Sequence, residues 1–171
     1  MYGGTCINIA CLPSKCLIIE AGNGIDFVDA VNGKNDMTAM LRGKNYHMLA
    51  DEKTVTVLDG AASFLNDHEI EVATSDGKTE QYHGERIFIN TGALPVMLPI
   101  PGLTESKAVL DSTAAMDQSN LPERLTIIGA GYIGLEFASM FAKYGSEVTV
   151  LDLHENFLPR KDEDIAALTL N

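Results

Sequence analysis

The chain has 171 residues, 46% of them hydrophobic and 21% charged, a composition that can bury a core and excludes a disordered polypeptide. Twelve basic residues stand against 24 acidic ones, so the net charge is −12, which argues against a nucleic-acid backbone or an anionic membrane surface as partner. No signal-peptide pattern opens the chain. The longest apolar stretch, Leu125 to Ala142, carries Glu136 and three glycines and changes from strand-like to helix-like partway. A cytoplasmic chain with no membrane span is expected. The three cysteines are too few for a disulfide scaffold, so any bridge is more plausibly catalytic than structural.

Taken in chain order, residues 1–15 read as a loop rich in glycine and cysteine that enters a helix, with Pro13 confined to the first turn because it has no N–H to donate. From Gly24 to Ala50 the apolar residues recur at helical spacing with a break near Asn32-Gly33, which predicts two helices. Thr54–Leu58, Ala62–Leu65 and Glu69–Val72 are short runs of β type, and Asp76-Gly77 is a hairpin signal, so a small antiparallel meander follows. Arg86–Asn90 reads as an apolar strand ending at Thr91-Gly92-Ala93. Pro95, Pro99 and Pro101 then make a crossover linker. Leu125–Ile128, a glycine turn, Tyr132–Tyr144, Gly145 and Glu147–Leu151 compose a βαβ unit that ends at Asp152.

Two constellations carry chemistry. Gly129-Ala130-Gly131-Tyr132-Ile133-Gly134 follows a strand, opens a helix and precedes an acidic strand end 18 positions after Gly134. That context marks a dinucleotide fingerprint rather than a packing motif. Gly129 permits the turn, Gly131 lets backbone approach a pyrophosphate, Gly134 allows close packing, and the helix N-terminus receives the phosphates. Asp152 would accept ribose hydroxyls and repel a 2′-phosphate, favouring NAD(H) over NADP(H). Arg160 and Lys161 lie further on and read as poor substitutes for a basic residue at the strand end. The second constellation is Gly3-Gly4-Thr5-Cys6-Ile7-Asn8-Ile9-Ala10-Cys11-Leu12-Pro13-Ser14-Lys15. In a straight helix its cysteines would be roughly 7.5 Å apart along the axis, so the segment must bend for them to bridge. On spacing alone, a redox pair and two buried thiols stand level, and a zinc site has too few paired ligands.

The cysteine segment, Asn90-Thr91-Gly92-Ala93 before the proline-rich linker, and the Gly129 to Glu136 fingerprint occur in the order found in class I flavoprotein disulfide reductases. The chain resembles that family, which includes dihydrolipoamide dehydrogenase, glutathione reductase and mercuric reductase. Cys6 to Cys11 is closest in wording to its reactive-chlorine-resistance and hypothiocyanous acid reductase subgroup. The resemblance implies that FAD lies against Cys11, whose thiolate makes the charge-transfer contact, while Cys6 is the interchange thiol. It implies that Lys15 sits near the flavin N5 edge and pairs with Glu136. Gly3, Gly4, Thr5, Ala62, Asn90, Thr91 and Gly92 align with further flavin contacts, although relatives often have glycine in place of Ala62. Tyr132 matches the residue that covers the flavin until nicotinamide displaces it. Cys16 and the histidines at 47, 68, 83 and 154 match no family role.

The expected fold is α/β. A partial FAD-binding domain of helices and meander spans residues 1–117, and the first βαβ of a Rossmann-type NAD-binding domain spans 118–171. The implied activity passes hydride from NAD(P)H through FAD to the Cys6–Cys11 disulfide, and so to a small-molecule disulfide or oxidant. The alternative is a dinucleotide-binding fragment without turnover. Against the family pattern, the chain reads as an internal fragment. The FAD adenosine fingerprint would precede it, and the dimerisation domain of a homodimeric parent, with its His-Glu pair, would follow. The 171 residues alone are expected to be colourless and inactive.

Overall fold

The structure is a computed structural model that describes residues 2–154, 157–159 and 161–169, excluding the side chain of Glu163. Its first helix, α1 (Gly4–Asn8), lasts little more than a turn. Ala10 then takes φ −137° and ψ −105°, outside the helical region, and α2 (Cys11–Gly22) starts in a new direction. The bend that a Cys6–Cys11 contact requires is therefore built in at Ile9–Ala10. Gly4–Gly22 is apolar enough to resemble a membrane span by length and composition, yet this bend divides it into two helices. Pro13 sits in the first turn of α2, where a missing N–H is harmless.

The stretch expected to form two helices forms one, α3 (Phe27–Ala50), of 24 residues. Asp26 caps it by accepting the Val28 N–H at 2.9 Å. A glycine inside a helix costs about 1 kcal/mol, and here tertiary contacts on the opposite face override it. Asn32 and Gly33 face outward, whereas Val31 and Lys34 are buried. The Lys34 ammonium donates to the Met116 carbonyl at 3.0 Å and to the Asp117 carboxylate. It thereby pins the middle of α3 to α4 (Ser112–Met116).

The antiparallel meander runs β1 (Gly60–Asn66), β2 (Glu69–Thr74), β3 (Thr79–His83), in that spatial order. Ala62 pairs with Val72, and Val72 with Glu80. Gly77 turns the second hairpin at φ 82°, as Asp76-Gly77 predicts. Two expected strands do not form. Thr54–Leu58 and Arg86–Asn90 are irregular, because neither has a neighbouring strand among the described residues and a strand pattern without a partner forms no ladder. Phe88 is consequently 87% exposed and Ile89 72%.

The last unit follows its sequence signals closely. Strand β4 (Arg124–Ile128) runs parallel to β5 (Glu147–Leu151), and α5 (Tyr132–Tyr144) crosses between them. Gly145 closes α5 in the left-handed region at φ 108°. A short α6 (Glu163–Thr169), absent from the sequence expectation, follows. The core joins the helices. Leu17 of α2, Phe27, Ala30 and Val31 of α3, Ala115 and Met116 of α4, and Phe137, Met140 and Phe141 of α5 form one cluster. The architecture is thus α/β, with the βαβ unit packed through α5 onto α2, the helix that starts at Cys11.

Leu17 is wholly buried and Met48, on the outer part of α3, is 67% exposed. Leu17→Ala is expected to cost about 2–5 kcal/mol in denaturant unfolding, and Met48→Ala less than about 0.5 kcal/mol. Equal losses would show that the core is placed wrongly.

Candidate functional site

Two consecutive glycines with positive φ, Gly3 at 90° and Gly4 at 65°, lead into α1. This is a path that residues with side chains resist. The turn then carries Cys6 back to the start of α2. Its neighbour Cys11 pushes the Cys6 pKa up, while the backbone N–H groups of Leu12 and Cys11 pull it the other way. Both cysteines are exposed. Cys16 is further along α2. Burial and the Glu20 carboxylate raise its pKa, and its other charged neighbour is Lys34.

Immediately behind Cys11, α2 meets α5. Glu136 Oε1 accepts from Ser14 Oγ at 3.0 Å and from Lys15 Nζ at 2.5 Å, so the expected Lys15–Glu136 pair is present. Ser14 itself is one residue that sequence reasoning missed. In the middle of α2 the Tyr144 hydroxyl donates to the Leu17 carbonyl at 2.6 Å. Burial, with Glu20 nearby, raises the Tyr144 pKa to about 12, so it remains a donor at neutral pH. Lys15 is 59% exposed and Glu136 27%. At that exposure the ion pair adds little to stability, and its consequence is orientation.

A second segment approaches the cysteine turn. Gly92, at φ 81°, packs so closely on α1 that an added Cβ would lie 3.3 Å from Thr5 Oγ1. Asn90 and Thr91 are exposed beside it. Ala62 is not part of this group by any described contact. It is exposed in β1, paired with Val72.

At the fingerprint, Gly129 turns at φ 107° and its N–H donates to the Leu151 carbonyl at 2.7 Å. The Ala130 N–H donates to Asp152 Oδ2 at 2.7 Å and the His154 N–H to Oδ1 at 2.9 Å. Those two donors hold the Asp152 pKa below the usual carboxylate range. The carboxylate keeps further lone pairs for ribose hydroxyls. Gly134 packs against the turn so tightly that a Cβ would fall 2.0 Å from the Gly129 carbonyl oxygen, whereas the space around Gly131 is open. Tyr132 and Ile133 are exposed at the start of α5. Lys161, a poor substitute by spacing for a basic residue at the strand end, has its ammonium 4.9 Å from the centroid of the Tyr132 ring, a cation–π distance. A return of the chain that sequence spacing does not encode brings it there. Arg160 and Glu155 lie outside the described residues. A cleft of 340 Å³ lined by Gly24, Asp26, Asn120, Lys143 and Tyr144 contains none of the predicted site residues.

Residues 1–171 match the family model for pyridine nucleotide-disulphide oxidoreductases. The chain is 52% identical over 166 residues to the probable pyridine nucleotide-disulfide oxidoreductase RclA of Escherichia coli K12, covering 97% of this chain and 37% of that one. It is 36% identical to a mercuric reductase of Streptomyces lividans, covering 96% of this chain and 38% of that protein. The solved structure of the HOCl-induced flavoprotein disulfide reductase RclA from E. coli superposes with a TM-score of 0.93. The identity there is 50%, over 99% of this chain and 38% of that one. The chain thus spans less than two fifths of these relatives.

Two predictions follow from this geometry. Gly134→Ala forces the α5 start away from the turn, so its melting temperature should fall by several degrees, whereas Gly131→Ala should leave it near the wild-type value. Equal effects would contradict the packing. Cys11→Ala removes the neighbour that raises the Cys6 pKa. In the reduced protein, alkylation of Cys6 followed by mass spectrometry should therefore reach half-maximal rate at lower pH than in the wild type. An unchanged or higher midpoint would contradict the thiol pairing.

Proposed function

The chain belongs to the pyridine nucleotide-disulphide oxidoreductase family, and from that premise we propose that it is the dithiol-bearing part of an FAD-dependent, NAD(P)H-linked disulfide oxidoreductase. We assign residues 1–117 to the flavin-binding domain and 118–171 to the NAD-binding domain. Cys6 and Cys11 are the redox pair. The observation that carries the reading is the bend at Ala10 that brings Cys6 back to Cys11 at the start of α2, one turn before the Lys15–Glu136 pair.

The residues fit a flavin on one side of this turn. Gly92 presents backbone with no side chain in the way, packed against Thr5, and Lys15 offers a cation held in place by Glu136. Gly3, Gly4, Thr5, Lys15, Asn90, Thr91 and Gly92 would hold it. Ala62 belongs to the same proposed set, with no described contact to the others. The flavin, when bound, supplies the hydride chemistry. The protein's own groups do the rest. Cys11 faces the cofactor, Cys6 meets substrate, and the N-terminal N–H groups of α2 favour negative charge on the Cys6 sulfur.

The fingerprint fits a dinucleotide. The open space at Gly131 leaves room for a pyrophosphate at the N-terminus of α5. Gly129, Gly131, Tyr132, Ile133, Gly134 and Glu136 form the set on that side. Asp152 accepts the adenosine ribose hydroxyls, which supports NAD(H) over NADP(H). The substrate class is a small-molecule disulfide or related oxidant, and the location is cytoplasmic, with no nucleic-acid or membrane partner and with the longer parent a homodimer.

The intact flavoprotein should show a higher kcat/KM with NADH than with NADPH in steady-state assays. A preference for NADPH would overturn the Asp152 argument. Glu136→Gln should change unfolding stability by less than about 1 kcal/mol while slowing flavin reduction on the order of 10–100-fold through loss of Lys15 orientation. Stopped-flow absorbance checks the rate. A variant that keeps the wild-type rate would remove Glu136 from the machinery.

A further inference from the structure

Asn8 lies between the two cysteines, and its side-chain amide is engaged on both sides. Nδ2 donates to the backbone carbonyls of Tyr2 and Gly4, each at 2.8 Å. Oδ1 accepts from Arg42 Nε at 2.8 Å. The orientation of the amide is unambiguous, because a guanidinium only donates and a carbonyl only accepts. Arg42 continues the inner stripe of α3, which runs from Phe27 through Ala30, Val31, Lys34 and Thr38. One face of one helix therefore reaches from the aromatic core to the cysteine turn. The residue before the turn is also tethered. The Tyr2 ring packs edge-on to Tyr46 with centroids 4.7 Å apart, and its hydroxyl bonds the Asp59 carboxylate. That bond raises the Tyr2 pKa to about 12.

We propose that Asn8 and Arg42 are positioning residues for the dithiol. The Arg42 guanidinium fixes the Asn8 amide, and the amide fixes the backbone of the Cys6 turn. The Cys6 sulfur is thereby held beside Cys11 at the start of α2. This deepens the functional reading above and rests on it. A held turn has already lost the conformational freedom that closing the disulfide would otherwise cost. Release of the amide removes that advantage, so the disulfide becomes easier to reduce. In the reaction with glutathione, the Cys6–Cys11 bond breaks, each sulfur gains one electron and one proton, and two glutathione thiols are oxidised to glutathione disulfide.

The test is the equilibrium of the intact flavoprotein with glutathione buffers, with Cys6 and Cys11 thiols counted by alkylation and mass spectrometry. Asn8→Ala should move the equilibrium about ten-fold toward the dithiol, equivalent to about 30 mV. Asn8→Asp, which keeps an oxygen toward Arg42 and loses both amide donations, should move it the same way. Arg42→Ala should shift it in that direction and Arg42→Lys less, and the Asn8→Ala/Arg42→Ala double variant should not exceed the larger single shift. Tyr144→Phe loses the bond to the middle of α2, nearly two turns past Cys11, and should lower the melting temperature while shifting the equilibrium much less than Asn8→Ala. Wild-type equilibrium constants in both the Asn8 and Arg42 variants, or an equal shift in Tyr144→Phe, would overturn the proposal. Absence of a Cys6–Cys11 disulfide in the oxidised wild type would instead overturn the functional reading beneath it.

Discussion

The site depends on how α5 grips α2. A 12-residue helix that starts at Cys11 cannot hold its own place, since isolated helices of that length are marginal in water. Glu136 takes hydrogen bonds from Ser14 and Lys15 near its beginning, and Tyr144 donates to the Leu17 carbonyl further on. Between those polar contacts, Phe137, Met140 and Phe141 pack with Leu17 and Phe27. The same helix that opens at the nucleotide fingerprint therefore also sets where the dithiol stands. That coupling explains why a carboxylate occurs on α5 at position 136, on a helix otherwise built of apolar and small residues around it. A hydrophobic residue there would leave Ser14 only its longer bond to the Cys11 carbonyl at 3.3 Å and Lys15 without this counter-ion.

Much of this was legible in the sequence where structure is local. Strand, glycine turn, helix, glycine cap and strand from Leu125 to Asp152 could be read almost to the residue, because each boundary rests on a neighbour within a few positions. Gly145 is needed for its positive φ, and Gly134 for its contact with the Gly129 carbonyl. The bend between Cys6 and Cys11 was legible only as a requirement, and Ala10 supplies it without a glycine or proline to announce it.

The misreadings share a cause, which is dependence on distant partners. Gly33 looked like a helix break because propensity is local, whereas Lys34 bonds to Met116 and Asp117, more than 80 positions away in the chain. Arg86–Asn90 and Thr54–Leu58 have strand-like composition, but a strand exists only if another lies beside it. Lys161 and Tyr132 are 29 positions apart, and no periodicity predicts that their side chains meet. Arg42 is illegible for the same reason, as one of three cations on a long helix whose role appears only when the Asn8 amide is placed against it.

The account's central claim is that Cys6 and Cys11, and not Cys16, form one redox pair served by flavin and pyridine nucleotide. It is tested most directly by anaerobic titration of the oxidised, intact flavoprotein with NADH, followed by differential alkylation and peptide mapping. The account predicts two new thiols per flavin, at Cys6 and Cys11, with Cys16 equally reactive before and after reduction. New thiols that include Cys16, or reduction of the flavin with no thiol gained at Cys6 and Cys11, would contradict it.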